Sequence, residues 1–245
     1  MLKSIKRSFK YFLIFIGILI MIPMILYPLL RQPEIQTLII RRITRYFSQE
    51  LKSTISVGKT ELIFFNKLSL EDVLIKDKNH DTLVYTKKLT ATIRKINAEN
   101  REFTLGRVSL LNPVFSLITD STGLLNLNWY LDLLRQQEKG STLTPVKIQI
   151  NHTDIRNASF SLINRTAAAG GEAIDFNNLR IRDVNGILED FSIMNDTTSF
   201  SIYNLSFRES GGFNVLRMNS DFHLADHNIY ITSAFINCDS SVLNI

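Results

Sequence analysis

The sequence predicts a mainly β chain, in which an N-terminal transmembrane helix and an amphipathic helix precede a long antiparallel sheet. Three observations lead there. Residues 11–30, YFLIFIGILIMIPMILYPLL, carry no charge over a length that matches a bilayer. From Ile55 onward the apolar period switches to two and holds for nearly all of the remaining chain. Only two stretches beyond residue 30 keep helical spacing.

The apolar run comes first. Thirteen of its 20 residues are Leu, Ile or Phe, and 20 helical residues cover about 30 Å, the thickness of a hydrocarbon core. Those side chains favour insertion by roughly 4 to 8 kcal/mol before Gly17, Pro23 and Pro28 reduce the total. Lys3, Lys6, Arg7 and Lys10 precede the run with no acid among the first ten residues. The positive-inside rule therefore keeps the tail 1–10 in the cytoplasm and sends the C-terminal bulk across. A cleaved signal peptide would have a shorter apolar region of about 7 to 15 residues and a small-residue cleavage site. Neither feature is present, so the run reads as an uncleaved anchor.

Residues 33–52 form the amphipathic pattern. Ile35, Leu38, Ile39, Ile43, Tyr46, Phe47 and Leu51 share a helical stripe, while Arg41, Arg42 and Arg45 lie mainly off it. Pro33 and Glu34 suit a helix start. Such a helix either caps the first strands with its apolar face or lies at a membrane surface with its arginines on lipid phosphates.

Alternation then takes over across 55–245. Ile55, Val57, Leu62 and Phe64 open it; Leu68, Leu70, Val73 and Ile75 follow a turn at Asn66-Lys67. Leu83 to Ile93 resume after the polar turn 76–81, and Val108 and Val114 to Ile118 read as two strands broken by Asn112-Pro113. One helix interrupts near 127–138 (LNWYLDLLRQQE), with Asn126 or Asn128 as its cap and Trp129 anchoring it on a sheet face. Strands return at Val146, and an echo appears: Ala158-Ser159-Phe160-Ser161-Leu162 repeats the rhythm of Pro113-Val114-Phe115-Ser116-Leu117. Further strands are expected over 174–184, 187–193, 200–207, 213–224 and 229–236. About a dozen consecutive strands argue for an antiparallel meander. The chain stops at Ile245 in the middle of an apolar strand, which reads as a partial product whose last edge awaits more sheet.

Charge distribution narrows the function classes. The formal charge of +5 suggests nucleic acid, but residues 1–60 carry ten Lys or Arg against two acids, while residues 61–245 carry 18 against 21. The basicity belongs to the membrane-proximal segment, and no polynucleotide partner is implied. Cys238 is the sole cysteine, so no internal disulfide forms. No nucleophile elbow, zinc-binding helix motif or phosphate loop occurs. His223 and His227 sit at i, i+4 in a β-patterned region, where that spacing does not bring them to one face. The chain is expected not to be an enzyme and to need no cofactor or metal.

A sheet with one continuous apolar face has to hide it. It can close on itself, or it can curl into a trough able to hold acyl chains. Alternation alone fits both.

The segments TLIIRRITRYFSQEL and STISVGKTELIFFNKLSLEDVLIKDKNHDTLVYTKKLTATI resemble the N-terminal region of the translocation and assembly module TamB, of the AsmA-like family, in its Bacteroidetes versions. GRVSLLNPVFSLITDSTGLLNLNWYLDLL, IDFNNLRIRDVNGILEDFSI and the closing INCDSSVL are similar to that family too, in the same order. The resemblance implies an inner-membrane anchor and a periplasmic, curved antiparallel sheet, the β-taco. Its apolar groove would pass phospholipids toward the outer membrane, and the family is linked to protein secretion and outer-membrane assembly. It also implies pairing with an Omp85-type outer-membrane barrel. Members are much longer than 245 residues, and the barrel-contacting domain at their far C-terminus has no counterpart here. On this reading the groove is lined by alternating positions such as Leu62, Phe64, Leu83, Tyr85, Phe115, Leu117, Phe160 and Leu162, with bulges resetting which parity faces inward. The rival reading is a structural or assembly factor that presents sheet edges to a client protein.

Overall fold

The computed structural model describes residue 45 and residues 54–63, 66–97, 99–128, 147–167, 175–194, 197–225 and 228–244. The expected membrane span 11–30 lies outside the described residues, as do the amphipathic segment 33–52 apart from Arg45, Phe64, and the helix 127–138 beyond residue 128. Arg45 is helical and exposed. Among the described residues no helix is long and apolar enough to cross a membrane.

Among the described residues eleven strands make one open, curved sheet. They are β1 (Ile55–Ser56), β2 (Lys59–Ile63), β3 (Lys67–Lys76), β4 (Thr82–Asn97), β5 (Glu102–Thr119) and β6 (Lys147–Asn164), then β7 (Asn178–Met194), β8 (Thr197–Glu209), β9 (Asn214–Ala225), β10 (Asn228–Cys238) and β11 (Val242–Asn244). Their spatial order is β1-β3-β4-β5-β6-β7-β8-β9-β10-β11, with β2 beside β1 on the same edge of β3. All substantial strand contacts among the described residues join sheet neighbours, so the sheet neither closes into a barrel nor stacks into a sandwich.

Two expectations need correction. The sheet is mixed rather than antiparallel throughout, because β5 and β6 run parallel. A parallel pair needs a crossover connection, and residues 120–146, where the helix was expected, supply it. Second, Asn112-Pro113 does not end a strand, and neither does the Asn185 region. β5 runs 18 residues straight through Asn112-Pro113, and β7 runs 17 through the expected break between 184 and 187.

Asn112, which suggested a turn, stays inside a strand and is one of a set of such residues. Asp72, Asn112, Asn157, Asp183, Asp190, Asn204 and Ser233 all sit within strands at φ between 49° and 56°, a left-handed conformation that Asn and Asp tolerate better than other side chains. They fall in rows. Asp72 and Asn112 both lie opposite Lys87, Asn112 lies beside Asn157, and Asn157 lies opposite Asn185. Side chains stitch the row together. Asn157 Nδ2 donates to Asn112 Oδ1 at 2.8 Å, the Asn157 amide donates to Asn185 Oδ1 at 2.8 Å, and the Asn204 amide donates to Asn219 Oδ1 at 2.7 Å. The last two satisfy backbone N–H groups that the interrupted ladder leaves over, and the first ties the two strands side chain to side chain.

Each bulge places two successive residues on the same side of the sheet. Arg156-Asn157, Tyr203-Asn204 and Leu216-Arg217 are such pairs, and all six residues are exposed. The extra length always goes to one side, so the sheet curls toward the other.

Replacing Asn157 by Ala should destabilise the fold by about 1–2 kcal/mol, from the left-handed backbone and the lost Asn112 bond together. Asn157→Gly should lose less, since glycine accepts the backbone but not the hydrogen bond. Urea denaturation of both variants checks the order.

Candidate functional site

The inner side of the curl is apolar across the whole sheet. Pairing sets Leu105 beside Ile150 and Ile150 beside Phe191. It also sets Phe200 beside Phe222 and Phe222 beside Ile231. The Phe191 and Phe200 rings lie 6.2 Å apart, and Phe200 stacks on Phe222 at 5.0 Å, aromatic pairing that adds to area burial. A second row runs Leu70, Leu89, Leu110, Ile155 and Gly186. At Gly186 the position belongs to a neighbour: an added Cβ would lie 2.8 Å from Leu205 Cδ1 and 2.9 Å from Leu205 Cα. A third row joins Ile75, Val84, Phe115, Phe160 and Ile181.

Between these rows lie smaller side chains. Ala91, Val108, Thr153, Ile202 and Ser220 are paired one to the next, through Leu188, and all five are buried. Thr86 and Pro113 pair in the same way, with Ala158 beside them, and are equally enclosed. Large neighbours close over short side chains even in a single layer. The large ones stay half-open: Phe103 is 37 % exposed, Leu224 39 % and Ile229 65 %. Among the described residues no second layer covers this apolar surface.

The outer side is mostly polar by the same register, with Leu111, Val114, Tyr203, Leu216 and Tyr230 exposed among its polar residues. Lys95, Thr104, Gln149, Ser192, Ser199 and His223 form one row across it. Another contains Arg107, His152 and Glu189, where His152 Nδ1 lies 2.6 Å from Glu189 Oε1 and Asp154 sits 3.3 Å from Nε2. A cavity of about 250 Å³ is lined by Asp183, Asn185, Ser206, Arg208 and Asn214 together with Phe207, Val215 and Leu216. No group of three or more His, Cys, Asp or Glu among the described residues is arranged to hold a metal.

The structure brings together most of the sequence-selected lining residues. Phe115 pairs with Phe160 and Leu117 with Leu162, all on the apolar side. Leu62 joins them through Leu68 and Ala91. Leu83 and Tyr85 flank Val84 and so point to the outer side. Leu83 is buried there with Ile118, at the corner where the crossover begins. Asn126 holds that corner: its Oδ1 accepts from the Ile118 amide at 3.1 Å, and its Nδ2 donates to Asp77 Oδ2 at 3.2 Å and to the Ser116 carbonyl at 3.1 Å. Its side chain is therefore committed to the sheet and does not cap the helical turn at 126–128. Sequence reasoning missed the central aromatic row Phe191–Phe200–Phe222, whose members sit on three separate strands.

Tyr85 has a different role. Its hydroxyl donates to Asp72 Oδ1 at 2.8 Å, beside Lys87 Nζ at 2.9 Å. The Lys87 ammonium, and then the Tyr85 hydroxyl, hold the Asp72 carboxyl below its ordinary range, while Asp72 raises both partners. Comparison with protein-family models and with curated proteins gives no match.

Because the Asp72 value is lowered on folding, its contribution to stability is present above the ordinary aspartate value of about 3.9 and is lost as pH falls through the folded value. Asp72→Asn keeps the tolerance of positive φ and removes the charge. The variant should show a smaller loss of stability than the parent between neutral and acid pH, read from denaturation midpoints.

Proposed function

We propose that this chain is an inner-membrane-anchored protein of cell-envelope biogenesis, whose sheet forms an open groove for phospholipid acyl chains moving toward the outer membrane. The observation that carries the reading is the single-layer apolar face, continuous from β3 to β10 and facing the inside of the curl. An acyl chain laid across the strands would contact mainly hydrocarbon and aromatic rings, and the hydrophobic gain scales with the area it covers, about 25 cal/mol per Å². The outer side, rich in Lys, Arg, Glu, Asn and Ser, stays in water. The charge-free run 11–30 and its flanking Lys3, Lys6, Arg7 and Lys10 support anchorage with the bulk in the periplasm. The resemblance to the TamB and AsmA-like proteins supports the same assignment. Under it, the residues that touch cargo include Leu62, Phe115, Leu117, Phe160 and Leu162, with no catalytic step.

A second reading rests on the outer edge of β10. β11 pairs only with Phe235–Asn237, which leaves Ile229, Tyr230, Ile231 and Thr232 without a strand on that side among the described residues. These four are uncharged and exposed. The opposite edge is interrupted at Gly58 and carries Lys59 and Glu61, features that discourage pairing. Strand addition at β10 by a client or barrel partner would make the chain an assembly factor.

A photo-crosslinking residue at Phe160 should give lipid adducts from membranes, and the same residue at Arg156 on the outer side should give none. Protein adducts alone at Phe160 would defeat the groove and favour the edge reading. Leu117 is half-buried on the open face, so Leu117→Asp should abolish lipid adducts with a stability change under about 1 kcal/mol. Ala158 is 2 % exposed, and Ala158→Asp should cost several kcal/mol because a buried carboxylate lacks a partner. Circular dichroism and denaturation separate the two.

A further inference from the structure

We infer that the rim made by the β4–β5 turn and the start of β6 receives the phosphate headgroup of an anionic phospholipid whose chains lie on the apolar face. The inference rests on the groove reading and adds the headgroup's position and charge to it. The strand ends at this rim carry opposite characters on their two sides. On the inner side Ile96 pairs with Phe103 and Phe103 with Ile148, and Ile96 is 58 % exposed. Immediately behind them, on the outer side, lie Lys95 and Lys147, whose ammonium groups sit 2.8 and 3.3 Å from the two oxygens of Glu102. Arg94, next to Lys95 on the same side, turns away from this ion pair along β5. Its guanidinium lies over Gly106, where an added Cβ would come within 2.8 Å of Arg94 Nε. Glycine leaves room for that placement.

Hydrocarbon on one side of a thin edge and ammonium groups on the other reproduce the boundary between acyl chains and headgroups. Long basic side chains reach across such an edge while their stems stay on apolar surface. The two rims of the sheet also differ in charge. Over residues 94–102 and Lys147 the described cations are Arg94, Lys95, Arg101 and Lys147, against Glu99 and Glu102. The opposite rim, from the β3–β4 turn to the start of β7, carries Asp77, Asp81, Asp120 and Asp175 against Lys76, Lys78 and Arg165. There Asp81 is already paired with Arg165 at 2.9 Å. A phosphate leaving the groove over the acidic rim meets repulsion; over the basic rim it meets Lys95 and Lys147, which Glu102 holds in place without neutralising both.

The test uses the full chain with a photo-crosslinking residue at Phe103 and vesicles of phosphatidylcholine and phosphatidylglycerol in equal parts. Adducts are identified by mass. The parent chain should favour phosphatidylglycerol about five- to tenfold, since each basic residue near an anionic surface contributes roughly fivefold. Lys95→Gln with Lys147→Gln should remove the preference. Glu102→Gln should strengthen it by freeing both ammonium groups, an increase that a merely structural ion pair would not produce. Lys78→Gln on the opposite rim should leave it unchanged. Lipid adducts without headgroup preference, or a preference indifferent to the rim substitutions, would overturn the inference while the groove stands. An absence of lipid adducts at both Phe103 and Phe160 would instead remove the groove reading on which the inference rests.

Discussion

The structure depends on a constraint of the β-pleat. Side chains alternate, so a strand keeps one face apolar only while its ladder stays regular. β4 to β7 run 16 to 18 residues, roughly 53 to 60 Å at 3.3 Å per residue, far beyond an ordinary strand. Right-handed twist and curvature cannot be absorbed over that length without breaks. Each break adds a residue, and each added residue would flip the rest of the strand. Here the surplus falls consistently on the outer side, as at Gly106-Arg107, Arg156-Asn157 and Tyr203-Asn204. The apolar set therefore steps by three at a bulge and returns to two, and the inner face survives end to end.

β5 and β6 show this most clearly. Their pairing runs in parallel from Glu102 beside Lys147 to Thr119 beside Asn164 without a shift in register. Phe103, Leu105, Val108, Leu110, Pro113, Phe115 and Leu117 lie beside Ile148, Ile150, Thr153, Ile155, Ala158, Phe160 and Leu162. The two strands bulge at the same place, Asn112 and Asn157, and the amide of one bonds the carbonyl of the other. Parallel strands in register can do this because equal steps along each chain keep equal positions together. The repeat in the sequence is thus a repeat of geometry. Pro113 fits in a central strand because it follows the bulge, where the ladder is already interrupted.

A single layer also explains what is buried. Seven of the nine buried apolar residues among those described lie on the inner side, and most are small, such as Ala91, Ala158 and Ala234. They are enclosed by cross-strand neighbours rather than by a facing layer, so stability resides in rows of paired side chains. The larger residues of those rows retain exposed surface. That division gives the fold a stable floor and an accessible lining together, which a two-layer core does not offer.

Much of this was legible in the sequence. Period-two alternation gave the β class and one apolar side carrying Leu62, Phe115, Leu117, Phe160 and Leu162, because alternation is a local property of the pleat; it fitted a closed sheet as well as an open one. The echo around Phe160 was visible for the same reason. Breaks were misread: Asn112-Pro113 carries the same local signal whether the chain turns back or bulges, and only the neighbouring strand distinguishes them. Leu83 and Tyr85 were placed on the wrong side because bulges reset parity, and their position follows from pairing with β5 rather than from spacing. The parallel β5–β6 pair and the row Phe191–Phe200–Phe222 were decided by tertiary structure alone, since both depend on which strands become neighbours. By itself the sequence determined that one face would be apolar; the tertiary structure decided that this face lines the inside of a curl, because the bulges lengthen only the other.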